Sequence, residues 1–299
     1  MEVEITGASG FLGINLQEYL KEYFIVKPKS IRYSEKQKIQ INADAIIHLA
    51  GKAHDLKNIS APNDYYEANF ELTKQLFDSF LSSESKVFIF MSTVKAVADV
   101  VKEKVLTEES IPDPKTHYGI SKFKAEQYIL NGKLPDAKRV YVLRPCMIHG
   151  PGNKGNLNLL YKFVSKKIPW PLGAYDNQRS FLSIENICFV IKELLENTNI
   201  PSGVYQVADD EPLSTNELIE LIGTSLSKKS NIWKIPTFLI NKTAILGDHL
   251  HLPLNSERLK KLTEDYVISN AKIKKELKKE LPVSARAGLI RTINSFKDK

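Results

Sequence analysis

Cysteine is scarce in this sequence: Cys146 and Cys188 are the only two in 299 residues. They lie far apart with no metal-ligand spacing, which argues against a disulfide framework or a metal centre and for a reduced, cytoplasmic protein. Long apolar runs are also missing. The nearest, Ile235 to Leu246, is interrupted by Pro236, Asn241 and Lys242, so no segment is expected to insert in a bilayer. A glycine-rich turn follows the N-terminus almost at once, which leaves no room for a cleavable signal peptide. There is no internal repeat and no low-complexity segment. Basic residues are not interleaved with aromatics in any module pattern, which argues against nucleic-acid binding. The formal net charge is +7. Much of the excess falls in Lys272, Lys274, Lys275, Lys278 and Lys279, which read as the solvated face of a late helix. A loose attraction to an anionic membrane or a polyanionic substrate is the other use of such a run.

What is present begins in the first thirteen residues. An apolar strand (Val3, Ile5) runs into Thr6-Gly7-Ala8-Ser9-Gly10-Phe11-Leu12-Gly13 and then an amphipathic helix. Gly7 suits a tight turn, Gly10 a close approach to a pyrophosphate, and Gly13 close packing of helix on sheet. The helix N-terminus adds free N–H donors and partial positive charge. A plain structural turn is the alternative use of these glycines.

Strands and helices then alternate. Strands are expected at Phe24–Val26, Asp44–Gly51, Lys86–Met91 and Arg139–Leu143, and helices at Gly13–Tyr23, Asn69–Leu81 and Tyr118–Leu130. Continuous apolar strands between helices predict an α/β fold, a doubly wound parallel sheet covered on both faces. Gly7, Gly51, Ser92-Thr93 and Arg144-Pro145 fall at carboxyl ends of strands, where such sheets bind ligands. From about Gly150 the rhythm changes. Residues 1–150 are therefore expected to form the dinucleotide-binding domain. Residues 151–299 are expected to form mainly a smaller substrate lobe, with about 180–200 returning to the first.

Tyr118 and Lys122 stand four apart on one helical face. A phenol near pKa 10 is a weak base at neutrality, and a fixed ammonium would lower it toward the useful range. Thr93, at the end of a buried strand, can share a substrate oxygen with that phenol.

With these residues the sequence resembles the extended short-chain dehydrogenase/reductases, in the NAD-dependent epimerase/dehydratase group that acts on nucleotide sugars. The resemblance rests on Thr6–Gly13, His48-Leu49-Ala50-Gly51, Asn69, Met91-Ser92-Thr93, Tyr118–Lys122, Leu143-Arg144-Pro145, His149–Gly152 and Arg179–Ser183, in the family's order. It implies Tyr118 as acid/base on a sugar oxygen and Thr93 as hydrogen-bond partner of that oxygen. Lys122 would hold the nicotinamide ribose. Gly7, Ser9, Gly10, Phe11, Leu12 and Gly13 would line the pyrophosphate, Leu49, Ala50 and Gly51 the adenosine side, and Asn69 would buttress the site. Arg179 is implied as partner of the sugar-nucleotide diphosphate, with Asn156, the backbone at Pro171 to Gly173 (Leu172 at its centre) and Arg258 as further substrate contacts. Helix capping is the alternative role of Asn69 and Asn156. The run from Arg144 to Asn156, with Pro171-Leu172-Gly173, resembles the bacterial branch that handles UDP-N-acetylhexosamines for surface polysaccharides. The family also suggests a homodimer.

Two departures matter. Only residues 14–47 separate Gly13 from His48, so one strand–helix unit is expected to be trimmed, the one that reads the adenosine ribose. No acidic residue directly follows Phe24-Ile25-Val26; Lys27, Lys29 and Arg32 do, which leans the cofactor choice between NAD and NADP toward NADP. Met147 also stands where many relatives place an asparagine. The expected chemistry is hydride transfer between the nicotinamide and C4 of a UDP-hexose or UDP-N-acetylhexosamine. A 4-ketoreductase is favoured slightly, a 4-epimerase with tightly bound NAD is the alternative, and a non-catalytic nucleotide sensor is the reading from another class.

Overall fold

The computed structural model describes residues 1–35, 37–53, 61–101, 103–153, 155–250 and 255–297, without the side chain of Asn156. Its centre is a six-stranded, all-parallel sheet in the order β2-β1-β3-β4-β5-β8. The strands are β1 (Glu2–Thr6), β2 (Ile25–Lys29), β3 (Ala45–His48), β4 (Val87–Met91), β5 (Arg139–Pro145) and β8 (Gly203–Val207). β3 and β4 are buried throughout, as expected of central parallel strands covered on both faces. The edge strand β2 is largely exposed and contains Pro28, a residue tolerated at an edge because it cannot donate to a further strand. β8 lies beyond the segments that sequence patterning brings to this sheet.

One face is covered by α1 (Phe11–Leu20), α6 (Ile184–Glu196) and α10 (Ala271–Leu277), and α6 packs on α1. The other is covered by α3 (Leu72–Leu81) and α4 (His117–Asn131), through an aromatic cluster of Phe77, Phe80, Phe88 and Phe90. Between β2 and β3 the described residues form no helix or strand. Ile31, Tyr33, Ile39 and Ile41 pack against the aromatic cluster instead. The trimmed unit is therefore real: a single strand stands outside β1.

A shorter parallel pair, β6 (Met147–His149) and β7 (Phe181–Ser183), lies after β5. Around it are α5 (Asn156–Ser165), α7 (Thr215–Ser225), α8 (Thr237–Leu250), α9 (Ser256–Thr263) and α11 (Ala285–Asn294). Two apolar clusters hold this part, one around Trp170, Leu172 and Ile219 and one around Phe181, Leu218 and Leu289. The late lysines are not a uniformly free face. Lys272 donates to the Val204 carbonyl, Lys274 pairs with Asp210 and Glu280, and Lys279 pairs with Glu193.

Candidate active site

The turn after β1 is built as its glycines require. Gly7 has φ +69°, and a Cβ there would lie 2.6 Å from the Ala50 nitrogen; one on Gly13 would lie 2.4 Å from the Gly7 oxygen. No side chain fits either position, so β1, α1 and the end of β3 close tightly on one another. Gly10 is different. It precedes α1 in extended backbone and is exposed, and a Cβ would meet only the Gly7 oxygen at 3.3 Å. Its open face, beside the unpaired first N–H groups of a ten-residue helix, has the chemistry of an anion cradle. Ser9 is exposed there, and Phe11 and Leu12 are half-buried.

Beyond β3, Leu49 and Ala50 are half-buried and Gly51 is exposed. His48 is wholly buried and lies in a directed chain of hydrogen bonds. The Ala50 N–H donates to Thr6 Oγ1 (3.2 Å), which donates to His48 Nδ1 (2.7 Å); His48 Nε2 donates to Thr73 Oγ1 (2.9 Å), which donates to the Asn69 carbonyl (2.7 Å). Burial first, and then the Lys122 charge, push His48 down to about 3, so it is a neutral strut between β1, β3 and the helix above. Sequence reading noted His48 without this role, because its partners lie 25 and 42 residues away.

Asn69 does not cap a helix. The helix begins at α2 (Pro62–Tyr66) and passes through a π turn, Glu67–Glu71, into α3. Asn69 sits in that turn, fully buried. Its amide accepts from the Lys52 N–H (2.7 Å) and donates to the Lys52 carbonyl and Ser121 Oγ (3.0 Å each). Ser121 Oγ in turn donates to the Tyr118 carbonyl (2.9 Å). The widened turn thus ties the loop after β3 to the Tyr118 helix, a setting in which π turns recur.

Tyr118 and Lys122 face the ends of β3 and β4 from α4. Thr116 caps that helix by accepting from the Gly119 N–H (3.2 Å). A Cβ on Gly119 would stand 2.4 Å from the Lys95 carbonyl, so this glycine lets α4 lie directly on the turn that carries Thr93. The Tyr118 phenol faces Thr93; burial raises the phenol, and the nearby Thr93 hydroxyl offsets part of the rise. The lowering by Lys122 expected from sequence is not what the chain supplies. Lys122 is buried and donates to the Met91 carbonyl (2.8 Å), with its ammonium 4.6 Å from the Phe90 ring centre. Burial brings it down to about 8, partly offset by Glu126.

Glu126 is itself held by a buried ion pair with Arg144 on β5 (2.6 Å, with further bonds at 3.0 and 3.1 Å) and accepts from Ser92. One carboxylate therefore fixes the ends of β4 and β5 and the helix of Tyr118. The motif Leu143-Arg144-Pro145 was legible; its partner was not.

A second basic group interacts with Lys95. Arg179 is half-buried and held by backbone bonds to Leu213 (3.0 and 2.9 Å), and burial lowers its pKa. Lys95 is lowered too, chiefly by burial and in part by Arg179; it lies 4.6 Å from the Tyr266 ring centre and donates to the Asp99 carbonyl (2.7 Å). Lys95 also pairs with Asp99 (4.0 Å) and Arg179 donates to the Lys261 carbonyl; two partly desolvated cations that act on each other suit an anionic substrate, and Lys95 was missed because a lysine two residues past Thr93 carries no motif. The Leu172 side chain is buried with Trp170 and Ile219, which leaves its backbone for the contact expected of Pro171-Leu172-Gly173. Arg258 is exposed on α9. Asn156 opens α5, and its side chain lies outside the described residues.

The ribose-side residues are distributed unevenly. Lys27 pairs with Glu2 (2.6 Å) and Lys29 with Glu4 (2.8 Å), which leaves Arg32 exposed on the loop after β2. Among the described residues no cluster of acidic, histidine or cysteine side chains could hold a metal, and no helix is long and apolar enough to cross a membrane.

A glycine turn on a parallel sheet, with a hydroxyl, a phenol and a buried ammonium at its strand ends, defines a dinucleotide-binding α/β protein of the oxidoreductase type. The chain belongs to the NAD dependent epimerase/dehydratase family, which it matches over residues 3–208. It is 29% identical to a UDP-glucose 4-epimerase of Vibrio cholerae, over 78% of this chain and 77% of that one. It is also 29% identical to an N-acetyl-alpha-D-glucosaminyl-diphospho-ditrans,octacis-undecaprenol 4-epimerase of Escherichia coli O157:H7, over 91% and 84%. The structure of RMD from Pseudomonas aeruginosa, complexed with NADPH, superposes with a TM-score of 0.73 at 21% identity, covering 100% of this chain and 99% of that one.

Proposed function

We propose that this chain is a nucleotide-sugar 4-epimerase acting on a UDP-hexose or UDP-N-acetylhexosamine. The observation that carries the oxidoreductase half is the Tyr118 phenol facing the Thr93 hydroxyl, one helical turn from the buried Lys122 ammonium. A bound nicotinamide supplies hydride acceptance and return at C4 of the sugar. Gly10 and the start of α1 fit its pyrophosphate, and Lys122 fits a ribose hydroxyl. Tyr118 takes the proton of the C4 hydroxyl as the hydride leaves and restores it when the hydride returns. Thr93 holds that oxygen in place, while Lys95 and Arg179 balance the diphosphate. Tyr118 needs help to ionise, since burial raises it; the cationic ring of an oxidised cofactor would act in that direction.

Epimerisation is preferred because Glu2 and Glu4 neutralise Lys27 and Lys29, removing most of the basis for an exchangeable NADPH. Both 29%-identical relatives carry 4-epimerase names. A 4-ketoreductase is the second reading, and the exposed Arg32 favours it. Mass spectrometry of nucleotide released from purified protein, paired with incubation of UDP-N-acetylglucosamine without added cofactor, separates the two. Stoichiometric NAD and conversion to the C4 epimer are expected. An empty protein that consumes NADPH with a UDP-4-keto sugar supports the reductase instead. Polyprenyl-diphosphate N-acetylglucosamine belongs in the same assay, as the substrate class in the name of the Escherichia coli relative.

A further inference from the structure

Helix α8 has its polarity reversed for a surface helix. Its buried stripe is Ile240, Ala244 and Gly247, spaced i, i+4, i+7 along one side. The opposite side carries Phe238, Lys242, Ile245 and His249 at the same spacing, with Leu239, Leu246 and Leu250 beside them. Five of these, Phe238, Leu239, Ile245, Leu246 and Leu250, are large apolar side chains between 43% and 59% exposed, and Trp233 just ahead of the helix is 50% exposed. Lys242 and Asp248 are its only charged groups, and Asp248 is engaged with Ser256 (2.9 Å to its N–H). A contiguous apolar surface of this kind marks a contact with something else.

The charges nearby indicate what. Between Glu220 and Asp248 the chain has no carboxylate, but it has Lys228, Lys229, Lys234 and Lys242. A cavity of about 460 Å³ just ahead of the helix is lined by Lys167, Lys228, Lys229 and Ile168. An apolar helix with an aromatic at its start, lysines ahead of and within it, and a single carboxylate (Asp248) already engaged with Ser256 has the composition of a helix lying in an anionic lipid interface. Lys242 can extend its head past the apolar chains to the headgroups. A second copy of this chain fits less well, because it would bring two such lysine-only stretches together. We infer that the outer face of α8, with Trp233 and the flanking lysines, docks this enzyme peripherally on an anionic membrane surface.

The placement gives the docking a consequence for the site. Trp233 and Lys234 are hydrogen-bonded or bridged to Trp170, Leu172 and Gly173, and Asn241 meets the Tyr175 hydroxyl (2.9 Å). The helix is thereby joined to the loop expected to border the sugar nucleotide. Membrane contact would hold the substrate lobe at the bilayer without any chain spanning it.

The test is co-sedimentation of the full chain with vesicles of phosphatidylcholine containing phosphatidylglycerol, and with vesicles of phosphatidylcholine alone. The wild type is expected to pellet with the anionic vesicles and to be released by high salt. F238S/I245S/L246S and, separately, K234E/K242E should each weaken binding roughly tenfold or more. Circular dichroism of both variants and their activity on the soluble substrate should match the wild type. A wild type that stays in the supernatant with anionic vesicles overturns the inference. So does a stable dimer in light scattering that the apolar substitutions dissociate, since the face would then belong to a second copy. Vesicle binding needs neither cofactor nor sugar, so its failure is distinguishable from failure of the catalytic reading.

Discussion

Replacing Lys122 by methionine should make the protein more stable and inactive. Lys122 is buried, and its ammonium falls from 10.5 to about 8, mainly through desolvation. At about 1.4 kcal/mol per unit, that fall corresponds to about 3 kcal/mol. The folded value lies below the unfolded one, so the charged lysine costs stability at every pH below about 8. That cost shrinks as pH rises from 8 to 10.5 and vanishes above it. Methionine fills the space beside Phe90 but leaves the Met91 carbonyl without its donor at 2.8 Å, which returns about 1 kcal/mol. The net expectation at pH 7 is about 2 kcal/mol of added stability, or about 3 °C in Tm. Raising the pH to 9.5 relieves about 2 kcal/mol of the wild-type cost, so the two melting curves should nearly coincide there. Calorimetry at the two pH values, with cofactor removed, reads this directly. A Lys122→Met protein less stable than wild type at pH 7, or a gap that does not narrow by pH 9.5, would refute the reasoning.

Tyr118→Phe should lower kcat by about 10²–10⁴-fold while leaving dinucleotide binding and Tm almost unchanged, as read by steady-state kinetics and ligand-dependent melting. Glu126→Gln strands the buried Arg144 charge and should cost about 3 kcal/mol in urea unfolding. His48, held down to about 3 by burial, should show no imidazole titration by NMR between pH 5 and 8. Because its folded value lies below the unfolded one, stability should fall as pH drops from about 6.5 toward 3, by about 1.4 kcal/mol per unit from this group.

The sheet was readable because its central strands are continuous apolar runs: Ala45–His48 and Val87–Met91 are buried at every position, and no helical periodicity competes with them. The glycine turn, Thr93, Tyr118 and Lys122 were readable because each sits where a strand ends or one helical turn further on. What escaped depends on distance in sequence. That Lys27 and Lys29 are neutralised follows from the register of β1 on β2, and residue order alone does not contain a register. The π turn around Asn69 is set by partners at Lys52 and Ser121, so apolar spacing could not announce it or move the helix start back to Pro62. The Glu126–Arg144 pair joins an ordinary helical glutamate to a strand-end arginine, and nothing local marks either as the other's partner.

The claim that hydride moves at C4 is tested most directly with a UDP-hexose carrying deuterium at that carbon. Mass spectrometry of the product should show the C4 epimer with its deuterium retained, and Tyr118→Phe should form it at least about 10²-fold more slowly. Loss of the label to solvent would mean that a proton is abstracted there instead. That result, or no conversion by the wild type with either NAD or NADP supplied, would contradict the account.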